Sequence, residues 1–133
     1  SKINLIILNK KESLELTKKN NIEDALRDII KKNKDLNIII TNGKNNVTAY
    51  YNNNIYQCKP PIIKVKNENK AGDFMTSYFI NYFFKNLLYE DALSKSIIAG
   101  SLYASGLKYN MQKYSKKINR MNKKIRISKR KYK

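Results

Sequence analysis

The stretch "FMTSYFINYFFKNLL", residues 74–88, is apolar on nearly every face when read at helical spacing. A surface helix confines its apolar residues to one stripe, so a helix that is apolar all round has to be covered on several sides. Burying roughly eight large side chains contributes on the order of 12–20 kcal/mol on the usual transfer scale. The segment is therefore expected to be a central helix. "YEDALSKSIIAGSLYAS", residues 89–105, has Ala92, Ala99, Gly100 and Ala104 among its apolar positions, which predicts a second buried helix that a neighbour can approach closely. A chain of 133 residues fits one domain of ordinary size, but it has few strands with which to cover helices this apolar. It is expected to be a fragment, half of a split protein, or a subunit whose apolar surface a partner or a second copy covers.

The segments before residue 74 supply those strands. "INLIILN" at 3–9 is a β-branched run that reads as a buried strand, and "LNIIIT" at 36–41 is another, broken by Asn42-Gly43. Between them Ile22, Ala25, Leu26, Ile29 and Ile30 recur at helical spacing behind Asn21, a ready cap. "NVTAYYNNNIYQCK" reads as a hairpin turning at its asparagines, Pro60 and Pro61 stop it, and "IIKVKN" predicts one more short extended run. Strands alternating with helices in this order predict a layered α/β domain with a mostly parallel sheet.

One cysteine, Cys58, and no histidine exclude an internal disulfide, a Cys/His zinc site and histidine acid–base chemistry. The start "SKINLIILNKK" is too short and too soon charged for a secretory signal, and the aromatic run at 78–84 falls short of a membrane span. A soluble cytoplasmic protein is expected. Residues 113–133 carry eleven Lys or Arg and no acid, leaving +7 of the net +18 for residues 1–112. This basic C-terminal extension favours anionic partners such as nucleic acid, acidic protein or lipid headgroups through charge alone. Its only aromatics for base stacking are Tyr114 and Tyr132.

Three loops carry candidate chemistry. In "NENKAGDF" a glycine precedes an apolar helix, where free amides and the positive end of the helix dipole can hold an anion. Asp73 there is either a simple cap or, beside a substrate hydroxyl, a general base. Asn9 and Glu12 form "NKKE" after the first strand, a place from which a carboxylate can hold Mg2+ through water. "TNGKNN" at 41–46 offers a turn glycine and amides after the second strand.

In order and spacing these motifs resemble those of the C-terminal half of the ribokinase-like, PfkB-type carbohydrate kinases, over about residues 3–106. That family carries N-x-x-E after one strand, T-x-G-x-x-G after the next, and D-T-x-G-A-G-D opening a long apolar helix. Asn9 and Glu12 match the first motif, and Thr41 and Gly43 match the start of the second, whose last glycine is Asn46 here. Ala71, Gly72 and Asp73 match the end of the third, with Asn67, Glu68 and Lys70 where the family has Asp, Thr and Gly. Residues 89–105 resemble the following helix, with Ile97 where many members place an asparagine.

The resemblance implies a Rossmann-like three-layer α/β/α fold and transfer of the γ-phosphate of ATP to a sugar or nucleoside hydroxyl. It makes Asp73 the base, the amides around Lys70, Ala71 and Gly72 the anion hole, and Thr41 and Gly43 part of the nucleotide site. Glu12, with Asn9, would organise Mg2+ and phosphate. The family's sugar site comes largely from an N-terminal half, for which residues 1–112 have no room. The partner implied is that missing half, or a second copy. The competing reading is a non-catalytic, kinase-derived scaffold or RNA-binding subunit that uses residues 113–133.

Overall fold

Two β-branched runs begin the fold as a parallel pair. In the computed structural model, which describes residues 4–64, 66, 71–85, 87–106 and 111–133, β1 (Leu5–Asn9) lies beside β2 (Asn37–Thr41), with Leu5 opposite Asn37 and Asn9 opposite Thr41. A parallel pair needs a long crossover. Here it is α1 (Lys10–Thr17) followed by α2 (Ile22–Lys32). The cap expected at Asn21 is made, its side chain accepting from the Asp24 N–H at 2.8 Å. Leu26, Ile29 and Ile30 of α2 pack on Ile38 and Ile40 of β2, and Ile6 and Leu8 of β1 border the cluster.

After β2 the pairing changes direction. β3 (Val47–Tyr51) runs antiparallel to β2, and β4 (Asn54–Cys58) antiparallel to β3. The sheet is therefore mixed, and the expectation of a mostly parallel sheet is corrected. The turns joining these strands are too short to cross the sheet and can only reverse the chain. Asn52 and Asn53 both lie in the left-handed region, at φ 49° and 65°, as a two-residue hairpin loop requires.

The sheet order is β1-β2-β3-β4-β5, with β5 (Ile127–Lys131) coming from the basic segment. Tyr132, just after β5, donates its N–H to the Asn53 carbonyl at 2.9 Å. Its ring meets Tyr50 edge-on at 5.6 Å, and the Arg27 guanidinium lies 5.6 Å from the same ring. Tyr114 is also buried. Neither tyrosine named for base stacking is thus a free platform; both are packing residues. The expected strand at the N-terminus forms, but as an edge strand its Leu5, Ile6, Ile7 and Leu8 are only half-buried.

By contact the chain divides into residues 1–59 with 128–133, and residues 60–127. The boundary expected between 112 and 113 falls inside the second unit. That unit holds α3 (Ala71–Phe84), α4 (Tyr89–Ala104) and α5 (Met111–Asn122). The extended run expected over 62–67 is not a strand at Ile62, Ile63, Lys64 or Lys66, and its remaining residues lie outside the described ones.

Burial reverses the expected roles of the two helices. α4 is covered on nearly every side, whereas α3 buries Met75, Tyr78 and Phe79 and leaves Ile80 and Phe84 37% and 59% exposed. α3 also ends at Phe84, four residues short of the expected Leu88. The cause is side-chain size. A Cβ built on Gly100 of α4 would lie 3.1 Å from Met75 Cβ and 3.3 Å from the Ala71 carbonyl oxygen. A small residue at this point lets α3 approach α4 closely. Phe74 stacks on Tyr103 at 4.6 Å and meets Tyr78 and Tyr114 at 5.0 and 6.0 Å.

Gly100→Val tests this close approach. Overpacking at such a contact should destabilise the protein by about 2 kcal/mol, read as a lower denaturant midpoint with an unchanged slope. An unchanged midpoint would mean that α3 gives way freely.

Candidate functional site

Strand β1 ends where helix α1 begins. Asn9, extended at φ −83° and ψ 172°, is the last residue of the strand and the N-cap of the helix. Its Oδ1 accepts from the Glu12 N–H at 2.7 Å, and its own N–H donates to Glu12 Oε1 at 2.9 Å. This reciprocal capping box satisfies two helix-end donors. It also holds the Glu12 carboxylate, exposed to solvent, at the C-terminal edge of the parallel pair.

Because Asn9 is the register partner of Thr41, the loops after β1 and β2 leave the sheet at the same edge. That is where ligands bind in open α/β sheets. Thr41 is half-buried, and Gly43 is exposed at φ +59°, with no atom within 4 Å of the point a Cβ would occupy. The left-handed backbone favours glycine there. The Asn45 N–H donates to the Asn42 carbonyl at 2.9 Å and closes the turn. In the first unit, then, Asn9, Glu12, Thr41 and Gly43 share one sheet edge.

Ala71, Gly72 and Asp73 form the first turn of α3 in the second unit. Lys70, with Asn67 and Glu68, lies outside the described residues. First-turn amides have no partner within their own helix, and the helix dipole is positive at that end. Gly72 is exposed, and a Cβ added to it would meet nothing within 4 Å. Asp73 is exposed, and among the described residues its carboxylate makes no ion pair or hydrogen bond. Thr76 and Ser77 hydroxyls donate back to the Gly72 and Asp73 carbonyls at 2.8 and 3.1 Å. Ile97, which stands where many members of the resembled family place an asparagine, is buried in α4.

These features suit a phosphate better than a preassembled metal centre. Open backbone at Gly72 and Gly43 leaves room for a phosphate oxygen close to the chain. No group of three or more metal-ligating side chains occurs among the described residues. Mg2+ is commonly held by one or two carboxylates together with phosphate oxygens and water, and Glu12 can serve as such a carboxylate. Cys58 is buried, and burial pushes its thiol up to about 11, so it is no nucleophile at neutral pH. No described helix is long and apolar enough to cross a membrane.

The sequence reading missed a cavity of about 530 Å³ in the first unit, bordered by Asn42, Asn45 and Asn46 of the turn and by Thr48. The available signal was Thr48, a polar residue in an otherwise apolar and aromatic strand.

Comparison with known proteins fits this layout. A family model described as pfkB family carbohydrate kinase matches residues 1–106. No curated protein sequence matches the chain. Among solved structures, phosphofructokinase-2 from Escherichia coli in complex with substrates and products superposes with a TM-score of 0.75 at 22% identity, over 91% of this chain and 41% of that one. A candidate phosphofructokinase from Staphylococcus aureus gives 0.77 at 19% identity, over 98% and 43%. A candidate ribokinase II from Escherichia coli in complex with ATP and Mg2+ gives 0.75 at 16% identity, over 91% and 39%. The shared fold is the ribokinase-like α/β fold, of which this chain spans about two fifths of those chains' length.

Two substitutions separate the cap from the carboxylate's charge. Asn9→Ala should cost about 1 kcal/mol of stability, while Glu12→Gln, which can still complete the box, should change the thermal midpoint little. A Glu12→Gln loss as large as that of Asn9→Ala would tie the charge to folding. Burial of Cys58 gives a pH test. Its folded-state value lies above its unfolded one, so its contribution is complete below about pH 8.5 and is lost as pH rises towards about 11. Cys58→Ala should flatten this alkaline decline in urea titrations; an unaltered decline would assign it to other groups.

Proposed function

The chain belongs to the pfkB family of carbohydrate kinases, and from that membership we propose that it is the C-terminal portion of an ATP-dependent sugar or nucleoside kinase. The observation that carries this reading is the pairing of Asn9 with Thr41 at one sheet edge, together with an open glycine and a carboxylate in the first turn of α3.

In this reading the first-turn amides from Ala71 and Gly72, with Lys70 before them, receive a phosphate, while Thr41 and Gly43 border the nucleotide. Glu12, set by Asn9, orients Mg2+ through water. ATP with Mg2+ supplies the transferable phosphoryl group and shields its charge. Asp73 takes the proton from the acceptor hydroxyl, and its exposed position beside Gly72 supports that role. Residues 1–112 form the kinase portion, and residues 113–133 are a basic extension folded back onto it. A cytoplasmic setting goes with this activity.

The acceptor site is supplied by a further half or by a second copy. Support comes from the outer position of β1 in the sheet, with its half-buried Leu5–Leu8 run, and from exposed Ile80 and Phe84 on α3. A second reading, a kinase-derived binding subunit, is favoured by one feature. Lys113, Lys116, Arg120 and Lys124 follow helical spacing along α5 and just beyond it, while Tyr114 and Ile118 are buried. Salt-dependent RNA binding that Lys116→Glu with Arg120→Glu abolishes would support it.

Asp73→Asn in the complete kinase tests the first reading. Turnover should fall by about 10²–10⁴-fold, the usual share of general-base catalysis, with ATP affinity little changed. Full turnover after this substitution would remove Asp73 from the chemistry. Ordinary catalytic rates from these 133 residues alone would overturn the incomplete-site argument.

A further inference from the structure

The cavity beside the 42–46 turn contains none of the residues assigned above to phosphoryl transfer. Its volume, about 530 Å³, is in the range of small-molecule sites. Ile22 and Leu26 of α2 give it an aliphatic surface. Thr48 of β3 and Gln57 of β4, which are register partners, line it with a hydroxyl and an amide. Asn42, Asn45 and Asn46 add further amides from the turn.

Thr48 points to a ligand. The residue is only 7% exposed, and its hydroxyl, which is not sealed from solvent, has no hydrogen-bond partner among the described residues. It is left free to bond to a molecule in the cavity. The cations are the second pointer. Lys59 lines the cavity and makes no ion pair among the described residues. Arg130 is held by Glu23 at 3.2 Å, but Glu23 also has Arg27 at 3.6 Å. Glu23, whose carboxylate also lines the cavity, keeps Arg27 as a partner when Arg130 turns to a ligand.

We propose that this cavity is a second binding site, for a small phosphorylated polyol such as a pentose phosphate. Lys59 and Arg130 match a dianionic phosphate, to which charge-assisted hydrogen bonds are strong. The amides and the Thr48 hydroxyl match several hydroxyl groups. No aromatic side chain lines the cavity, so it offers a nucleobase nothing to stack on. The cavity borders the same 41–46 turn that the kinase reading gives to the nucleotide, but its lining leaves out Thr41 and Gly43, so the site can be tested apart from that reading.

Calorimetric titration of the full chain with ribose 5-phosphate tests it, with ribose and inorganic phosphate as separate probes. Saturable binding of ribose 5-phosphate is expected, on the order of 0.1–1 mM, with each of the other two at least about tenfold weaker. Lys59→Gln should weaken it about tenfold, and Thr48→Val, which keeps the side chain's size, about three- to tenfold. Arg130 sits in β5 and its replacement can disturb pairing, so these two variants, checked for native circular dichroism, carry the test. Absence of saturable binding, inorganic phosphate binding as tightly as the sugar phosphate, or affinity untouched by both substitutions would overturn the proposal. Competition by ATP would also overturn it, by moving the ligand to the phosphoryl-transfer loops.

Discussion

The parallel pairing of β1 with β2 decides where chemistry is possible in the first unit. Parallel strands cannot be joined by a turn, so the chain leaves β1, crosses through α1 and α2, and re-enters beside it. The crossover places an amphipathic helix over Ile38 and Ile40, with Ile39 buried on the opposite face of the strand, in the register that pairs Ile6 with Ile38 and Leu8 with Ile40. The same register sets Asn9 opposite Thr41. Packing of the core and juxtaposition of the two loops are consequences of one alignment.

In the second unit the corresponding constraint is the contact at Gly100. Where α4 has no side chain, the Ala71 carbonyl oxygen and Met75 Cβ come within 3.3 and 3.1 Å of the point a Cβ would occupy. The start of α3 is thereby placed against a helix buried along nearly its whole length. Phe74, one residue after Asp73, is wedged among Tyr78, Tyr103 and Tyr114. The turn that presents Gly72 and Asp73 to solvent is thus packed on its inner side and open on its outer side.

Much of this was legible in local patterns. The β-branched runs became β1 and β2, the periodic isoleucines and leucines became α2, and paired asparagines turned the hairpin. The three loop motifs were legible as a resemblance rather than as geometry. What escaped were non-local choices. Nothing in "VTAYY" states its direction; the shortness of its connections does. Apolar content alone ranked 74–88 as the central helix, but burial also depends on how closely neighbours can come, and the small residues of α4 won that place. "ISKRK" has a single apolar residue and joins the sheet because Tyr132 finds Tyr50 and Arg27, partners more than eighty residues away in sequence.

The motifs also differ in what they say about function. Asn9 and Glu12 complete a capping box, so folding alone accounts for both residue types. A carboxylate has two oxygens and about four lone-pair sites, and the box uses Oε1, so the cap neither requires nor forbids a metal role. Gly72 is different. It lies in a right-handed helical turn, where glycine costs about 0.5–1 kcal/mol relative to alanine, and no described atom comes within 4 Å of the Cβ it lacks. Neither backbone conformation nor packing among the described residues calls for glycine at that position, so of the residues in the three loops Gly72 lends the proposed phosphate site more support than the motif that matches best.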